Sequence, residues 1–204
     1  ALMGITGVFS AALAVSVTKF VPYYKGKDQQ SEILSLVSGL MKIFFLIGLL
    51  VLLFFIVFKH QLSVFFNIPY ELALVFVGAM IFVSSLQTIN LGAISGLQKF
   101  SFIAFVSFAQ NFLKFAFGLA LIYLGFKVNG AVLGMVLSVF VVYLMTFIPL
   151  KNFYSFSTGL RGLPWKKFAV YSMPAAFSMW GIASLQSADV VLVKKFFDPN
   201  FAGV

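Results

Sequence analysis

Residues 43–58 read Ile43-Phe-Phe-Leu-Ile-Gly-Leu-Leu-Val-Leu-Leu-Phe-Phe-Ile-Val-Phe58, a run without one polar side chain. A helix on the surface of a soluble domain is apolar along one stripe only. Here the apolar character goes all the way round, and lipid is the solvent that accepts it. Extended back to Ile33, the segment 33–58 exceeds the roughly 20 residues that cross a hydrocarbon core of about 30 Å. There is no alternation with a two-residue period, which removes a β-barrel. A helix also satisfies its own backbone groups where no water can.

The same signature recurs on both sides of this run. Residues 1–22 carry no charge before Lys19, 72–97 and 128–150 carry none, and 101–124 carry only Lys114. Residues 168–193 form a sixth apolar stretch that contains Pro174 and Asp189. Hydrophobic residues make up 62% of the chain and charged residues 9%. Soluble domains hold about 45–50% and about 25%. The fold class expected is therefore all-α, a polytopic integral membrane protein with about six transmembrane helices. The start, Ala1-Leu2-Met3-Gly4, lacks the charged region of a signal peptide, so 1–22 reads as a span. Both ends are expected to be cut from a longer protein. The chain has no cysteine, which removes disulfides and thiolate sites.

Short connections at 23–32, 59–71, 98–100 and 125–127 force successive spans to run antiparallel. The longest connection, 151–167, mixes aromatic and basic residues as a headgroup-level linker does. Lys19, Lys25, Lys27, Lys99, Lys151, Arg161, Lys166 and Lys167 fall on one side, and Lys59, Lys127, Lys194 and Lys195 on the other. The richer side is expected to be cytoplasmic. That places loops 23–32, 98–100 and 151–167 in the cytoplasm, in a multi-pass protein of the cytoplasmic membrane. The net charge of +9 is scattered over loops, which fits attraction to anionic headgroups and not a nucleic-acid face.

Polar residues inside spans are costly and are functional candidates by default. Lys114 shares a helix face with Gln110 at i, i+4, and Asn111 lies beside them. Gln87 and Asn90 add polar groups to the span 72–97. Two readings stand for this set. One is a hydrophilic cavity for an anionic or polyhydroxylated substrate. The other is a snorkelling lysine with polar side chains that bond neighbouring helices. Asp189, with Gln186 on the same face, reads either as a coupling or gating group or as a structural ion pair. Pro174 bends its helix or is merely tolerated. Gly92-Ala-Ile-Ser-Gly96 and Gly130-Ala-Val-Leu-Gly134 have the spacing of close helix contact.

His60 is the single histidine and acids number only 5, so neither a metal cluster nor paired acid–base groups can be assembled from the sequence. There is no phosphate-binding loop. No cofactor is expected, and an enzyme is not.

Three segments resemble the polysaccharide flippases of the multidrug/oligosaccharidyl-lipid/polysaccharide exporter superfamily. Thr18-Lys-Phe-Val-Pro-Tyr-Tyr-Lys-Gly-Lys27 is similar to the turn after that family's second helix. Gly92-Ala-Ile-Ser-Gly-Leu-Gln-Lys-Phe100 resembles its turn between the fourth and fifth helices. The segment from Asp189 to Gly203 looks like its seventh helix. The resemblance implies that the chain spans helices two to seven of a two-lobe transporter. Residues 1–150 would belong to the N-terminal lobe, 151–167 would be the linker, and 168–204 would begin the C-terminal lobe. It further implies translocation of a lipid-linked oligosaccharide by alternating access, with Lys114, Gln110, Asn111, Gln87 and Asn90 towards the cargo. Asp189, Gln186 and Pro174 would serve coupling to a proton or sodium ion, or gating. The partners implied are the lipid-linked glycan and membrane lipids. A cation-coupled drug antiporter or a membrane transferase are the competing classes.

Overall fold

The computed structural model describes residues 2–66, 70–151 and 170–182, and every element among them is helical. Helix α1 is Leu2–Lys25, α2 is Gln30–Val57, α3 is Lys59–Phe66 and α4 is Glu71–Gly96. Helix α5 is Phe100–Leu121, α6 is Lys127–Leu150, and α7 covers 170–182.

Three helical stretches are long and apolar enough to cross a membrane: Gln30–Val57, Glu71–Gly96 and Phe100–Leu150. The third, at 51 residues, is not one rod. As a straight helix it would measure about 75 Å, more than twice a bilayer core. A wide turn at Ile122–Phe126 folds it back, with Gly125 at φ 88° and Lys127 at φ 48°. The two arms then touch so closely that a Cβ on Gly134 would lie 2.6 Å from the Gly118 amide nitrogen.

The turns on the basic side are alike. Asp28 and Gln98 both adopt positive φ, at 55° and 61°. After α4, the Gln98 amide donates to Ser95 O at 2.9 Å and the Lys99 amide to Ile94 O at 3.2 Å. After α1, Asp28 donates to Lys25 O at 3.1 Å and Gln29 to Tyr24 O at 3.0 Å. Each is the paired closure that satisfies the last carbonyls of a helix, built here without glycine at the left-handed position.

Helix α4 stands in the middle. Its last three turns are buried nearly all round, against α1, α2 and α6. Gly92 comes within 3.0 Å of the Ala14 carbonyl oxygen for an added Cβ, so α1 crosses it backbone to backbone. The main core gathers at the basic end, where Val17, Val21, Ile33, Val37, Ile94 and Leu150 meet. Lys99 Nζ donates to Pro149 O there at 3.3 Å, which places the 98–100 turn beside the end of α6.

Three sequence expectations change. The connection 59–71 contains a helix, α3, whose His60 Nδ1 lies 2.8 Å from Glu71 Oε1 at the start of α4. Helix α1 runs on through Pro22 to Lys25, three residues beyond the span 1–22, and since only the last turn follows the proline a single bond is lost. Residues 122–124 belong to the return turn and not to the helix before it.

Candidate functional site

Helix α4 meets α1 through Gly92 and Gly96, α2 through Gly78, α6 through Asn90 and α5 through Gln87. At 100° per residue, Ser84, Thr88, Leu91 and Ser95 form a strip between the sides facing α1 and α5. All four are half-buried. Thr88 Oγ1 donates to the Ser84 carbonyl at 2.8 Å. The strip is a polar floor between two helices.

Across its edge, Gln87 Nε2 donates to Gln110 Oε1 at 2.8 Å and ties α4 to α5. One turn further along α5 stands Lys114, with Asn111 at its side. Both are exposed. Asn111 Nδ2 donates to Ser107 O at 2.9 Å, which fixes the amide against its own helix. Lys114 has no hydrogen-bond partner among the described residues. Asn111, Lys114, Phe115, Gly118, Leu119 and Ile122 wall an open, largely apolar groove with Ala131 and Met135 of α6, of about 340 Å³, with Lys114 and Asn111 as its polar groups.

Helix α5 thus shows two exposed stripes. Phe105, Phe108, Phe112, Phe115 and Leu119 recur at i, i+3, i+7, i+10 and i+14, and all are more than half exposed. Lipid suits that stripe. The other is Ser107, Asn111, Lys114 and Gly118 at i, i+4, i+7 and i+11, small and polar. In hydrocarbon an ammonium and a carboxamide cost several kcal/mol, so this stripe calls for water or protein. Lys42 makes the contrast. It lies midway along α2, exposed beside exposed Phe45 and Leu46, on a face that is otherwise apolar.

The remaining candidates separate. Asn90 is fully buried and donates from Nδ2 to Thr146 Oγ1 at 2.7 Å, and Thr146 donates on to Tyr143 O at 2.6 Å. It fastens α4 to α6 and does not reach the groove. Pro174 lies in α7, exposed, and its carbonyl accepts from Ser178 Oγ at 3.0 Å. Asp189 and Gln186 lie outside the described residues.

Several polar positions emerge only in three dimensions. Thr18 Oγ1 reaches Gly92 O at 3.2 Å across the α1–α4 contact. Ser16 Oγ and Ser172 Oγ lie 2.8 Å apart, and Lys19 Nζ sits 3.6 Å from the centre of the Tyr171 ring. Thr146 had a signal in the sequence: Gly130, Gly134, Ser138, Val142, Thr146 and Leu150 step by four and are all buried. Each step turns the ladder 40°, so it begins on α5 and ends on α4. At the basic end, burial and then the nearby Glu32 carboxylate raise Tyr24 above the ordinary phenol value of 10.0. Among the described residues no three His, Cys, Asp or Glu gather as metal ligands do.

No family model matches the chain, and no curated protein or solved structure matches it.

Proposed function

We propose that the chain is part of a membrane transporter that translocates a lipid-linked oligosaccharide across the cytoplasmic membrane by alternating access. In this reading 1–22, 33–58, 72–97, 101–124, 128–150 and 168–193 are six spans of a two-lobe protein. The carrying observation is the exposed small and polar stripe of α5, with Lys114 unpartnered in it, beside the polar floor of α4. A stripe of that chemistry at membrane depth needs an aqueous cavity or a facing protein lobe. Its one charge is positive, which suits the diphosphate of a polyprenyl-linked sugar better than a cationic drug. Gln110 is held by Gln87, so Lys114 and Asn111 are the groups left to bind cargo. Pro174, Gln186 and the Asp189 carboxylate are the proposed places for ion coupling or gating.

Water access tests the cavity. These 204 residues hold no cysteine, so Lys114→Cys and Phe108→Cys are placed in a full-length protein freed of cysteine elsewhere. A membrane-impermeant maleimide should label position 114 and leave position 108 unlabelled. Equal protection of both would place Lys114 in lipid and remove the cavity.

A further inference from the structure

We propose that Lys19 of α1 and Tyr171 of α7 form a releasable clasp on the basic side of the protein; its role as a gate rests on the transport reading above. Helix α7 follows the 151–167 connection, yet it returns to pack on α1, the first helix of the chain. Three contacts define the meeting. The serine hydroxyls of Ser16 and Ser172 lie 2.8 Å apart. The Phe20 and Tyr171 rings stand edge to face at 6.1 Å. Lys19 Nζ lies 3.6 Å from the Tyr171 ring centre.

The composition of this contact differs from that of the α1–α4 contact. Helix α1 meets α4 through Gly92, against the Ala14 backbone, and Gly96, against the Val21 side chain, with Val17 and Val21 fully buried. That contact is an interior. The α7 contact relies on two hydroxyls, one ring edge and one cation on a ring, and Lys19 itself is exposed. The two hydroxyls and the ammonium lose little when they part in the presence of water, because each finds a solvent partner. Fixed packing on one side of α1 and a solvent-compatible contact on the other make α1 the still element and α7 the moving one.

Lys19 also supplies the means of release. It lies about 9 Å, six residues, from the end of α1. A diphosphate head that arrives from the basic side meets this ammonium before it can pass between the helices. An ammonium binds a phosphate oxygen by a charge-assisted hydrogen bond, stronger than its attraction to a phenol ring. Cargo therefore stabilises the parted state over the closed one, which is the differential interaction that a population shift requires.

The test is a distance measurement in the full-length protein in lipid vesicles. Tyr23→Cys and Phe177→Cys, both exposed and outside the three contacts, carry spin labels. The clasp predicts a short and a long population in the unmodified background. Lys19→Gln, which removes the cation and keeps length, should shift their ratio towards the long one by about two- to fivefold. Tyr171→Leu should do the same by removing the ring. A single short distance in all three proteins overturns the clasp, as does an unchanged ratio in both variants. Added polyprenyl diphosphate should lengthen the distance only where Lys19 is present. If the variants shift the ratio and the diphosphate does not, the clasp stands and the diphosphate cargo proposed above falls.

Discussion

The Gly118–Gly134 contact gives a sharp test of the α5–α6 hairpin. An added Cβ on Gly134 would lie 2.6 Å from the Gly118 nitrogen and 2.8 Å from its Cα. Both are backbone atoms, so no side-chain rotation relieves the clash and the two helices must separate. Overpacking of that kind costs about 1–3 kcal/mol. Alanine in a helix regains about 1 kcal/mol over glycine, so Gly134→Ala should lose about 0–2 kcal/mol net. The reverse substitution has another outcome. A Cβ on Gly118 meets nothing within 4 Å. Gly118→Ala should therefore be neutral or gain up to about 1 kcal/mol from helix propensity. The two variants differ by one methyl group at the two faces of one contact, yet should differ by about 1–3 kcal/mol, roughly 5- to 150-fold in the unfolding equilibrium. Reversible unfolding in mixed micelles, followed by far-ultraviolet circular dichroism, measures it. Equal effects of the two substitutions would refute the fold-back at Gly125 and the packing derived from it.

Four further outcomes follow from the same geometry. Gln98→Gly should stabilise by about 1 kcal/mol, because the residue is left-handed at φ 61° and a side chain there is strained; an unfolding midpoint that does not rise counts against the closure described. Asn90→Ala and Thr146→Ala should each cost about 1–3 kcal/mol by orphaning a buried partner, and the double variant should cost less than their sum; strict additivity would contradict the bond. His60→Ala should speed proteolysis within α3 and leave global unfolding within about 0.5 kcal/mol, since the pair with Glu71 is exposed. Tyr24 should ionise above the ordinary phenol value of 10.0 in an ultraviolet titration, and Glu32→Gln should remove part of that rise. The neutral phenol is favoured in the fold, so this group's contribution is complete below pH 10.0 and is lost as the pH rises further.

The helices were legible because lipid imposes length. The reading 33–58 became Gln30–Val57 and 101–124 became Phe100–Leu121, differences of a few residues at each end. Helix α3 was not legible, because Lys59-His-Gln opens a segment of only 8 residues with polar character typical of a loop. Helix α1 outran the span 1–22 by three residues, because Tyr23 and Tyr24 extend it to Lys25 past a proline that costs only one bond. The groove is a different case. Lys114 and Asn111 stood out as costly residues on an apolar helix, and they do share a wall. Which polar residues pair across helices is a matter of register, and no spacing within one helix encodes that. Gln87 with Gln110, and Asn90 with Thr146, therefore came only from the fold. The i, i+4 rule put Gln110 and Lys114 on one face, yet the bond to Gln87 holds Gln110 on the α4 side while Lys114 stays open.

The most direct test of the central claim is flipping of a fluorescent polyprenyl-diphosphate disaccharide by the full-length protein in proteoliposomes, with Lys114→Ala and Lys42→Ala compared. A charge-assisted contact to the diphosphate is worth about 1.5–3 kcal/mol, so Lys114→Ala should lower the initial rate by about 10- to 150-fold. Lys42→Ala, on an otherwise apolar face of α2, should leave it unchanged. Equal rates for Lys114→Ala and the unmodified protein, or no flipping above protein-free vesicles, would contradict the account.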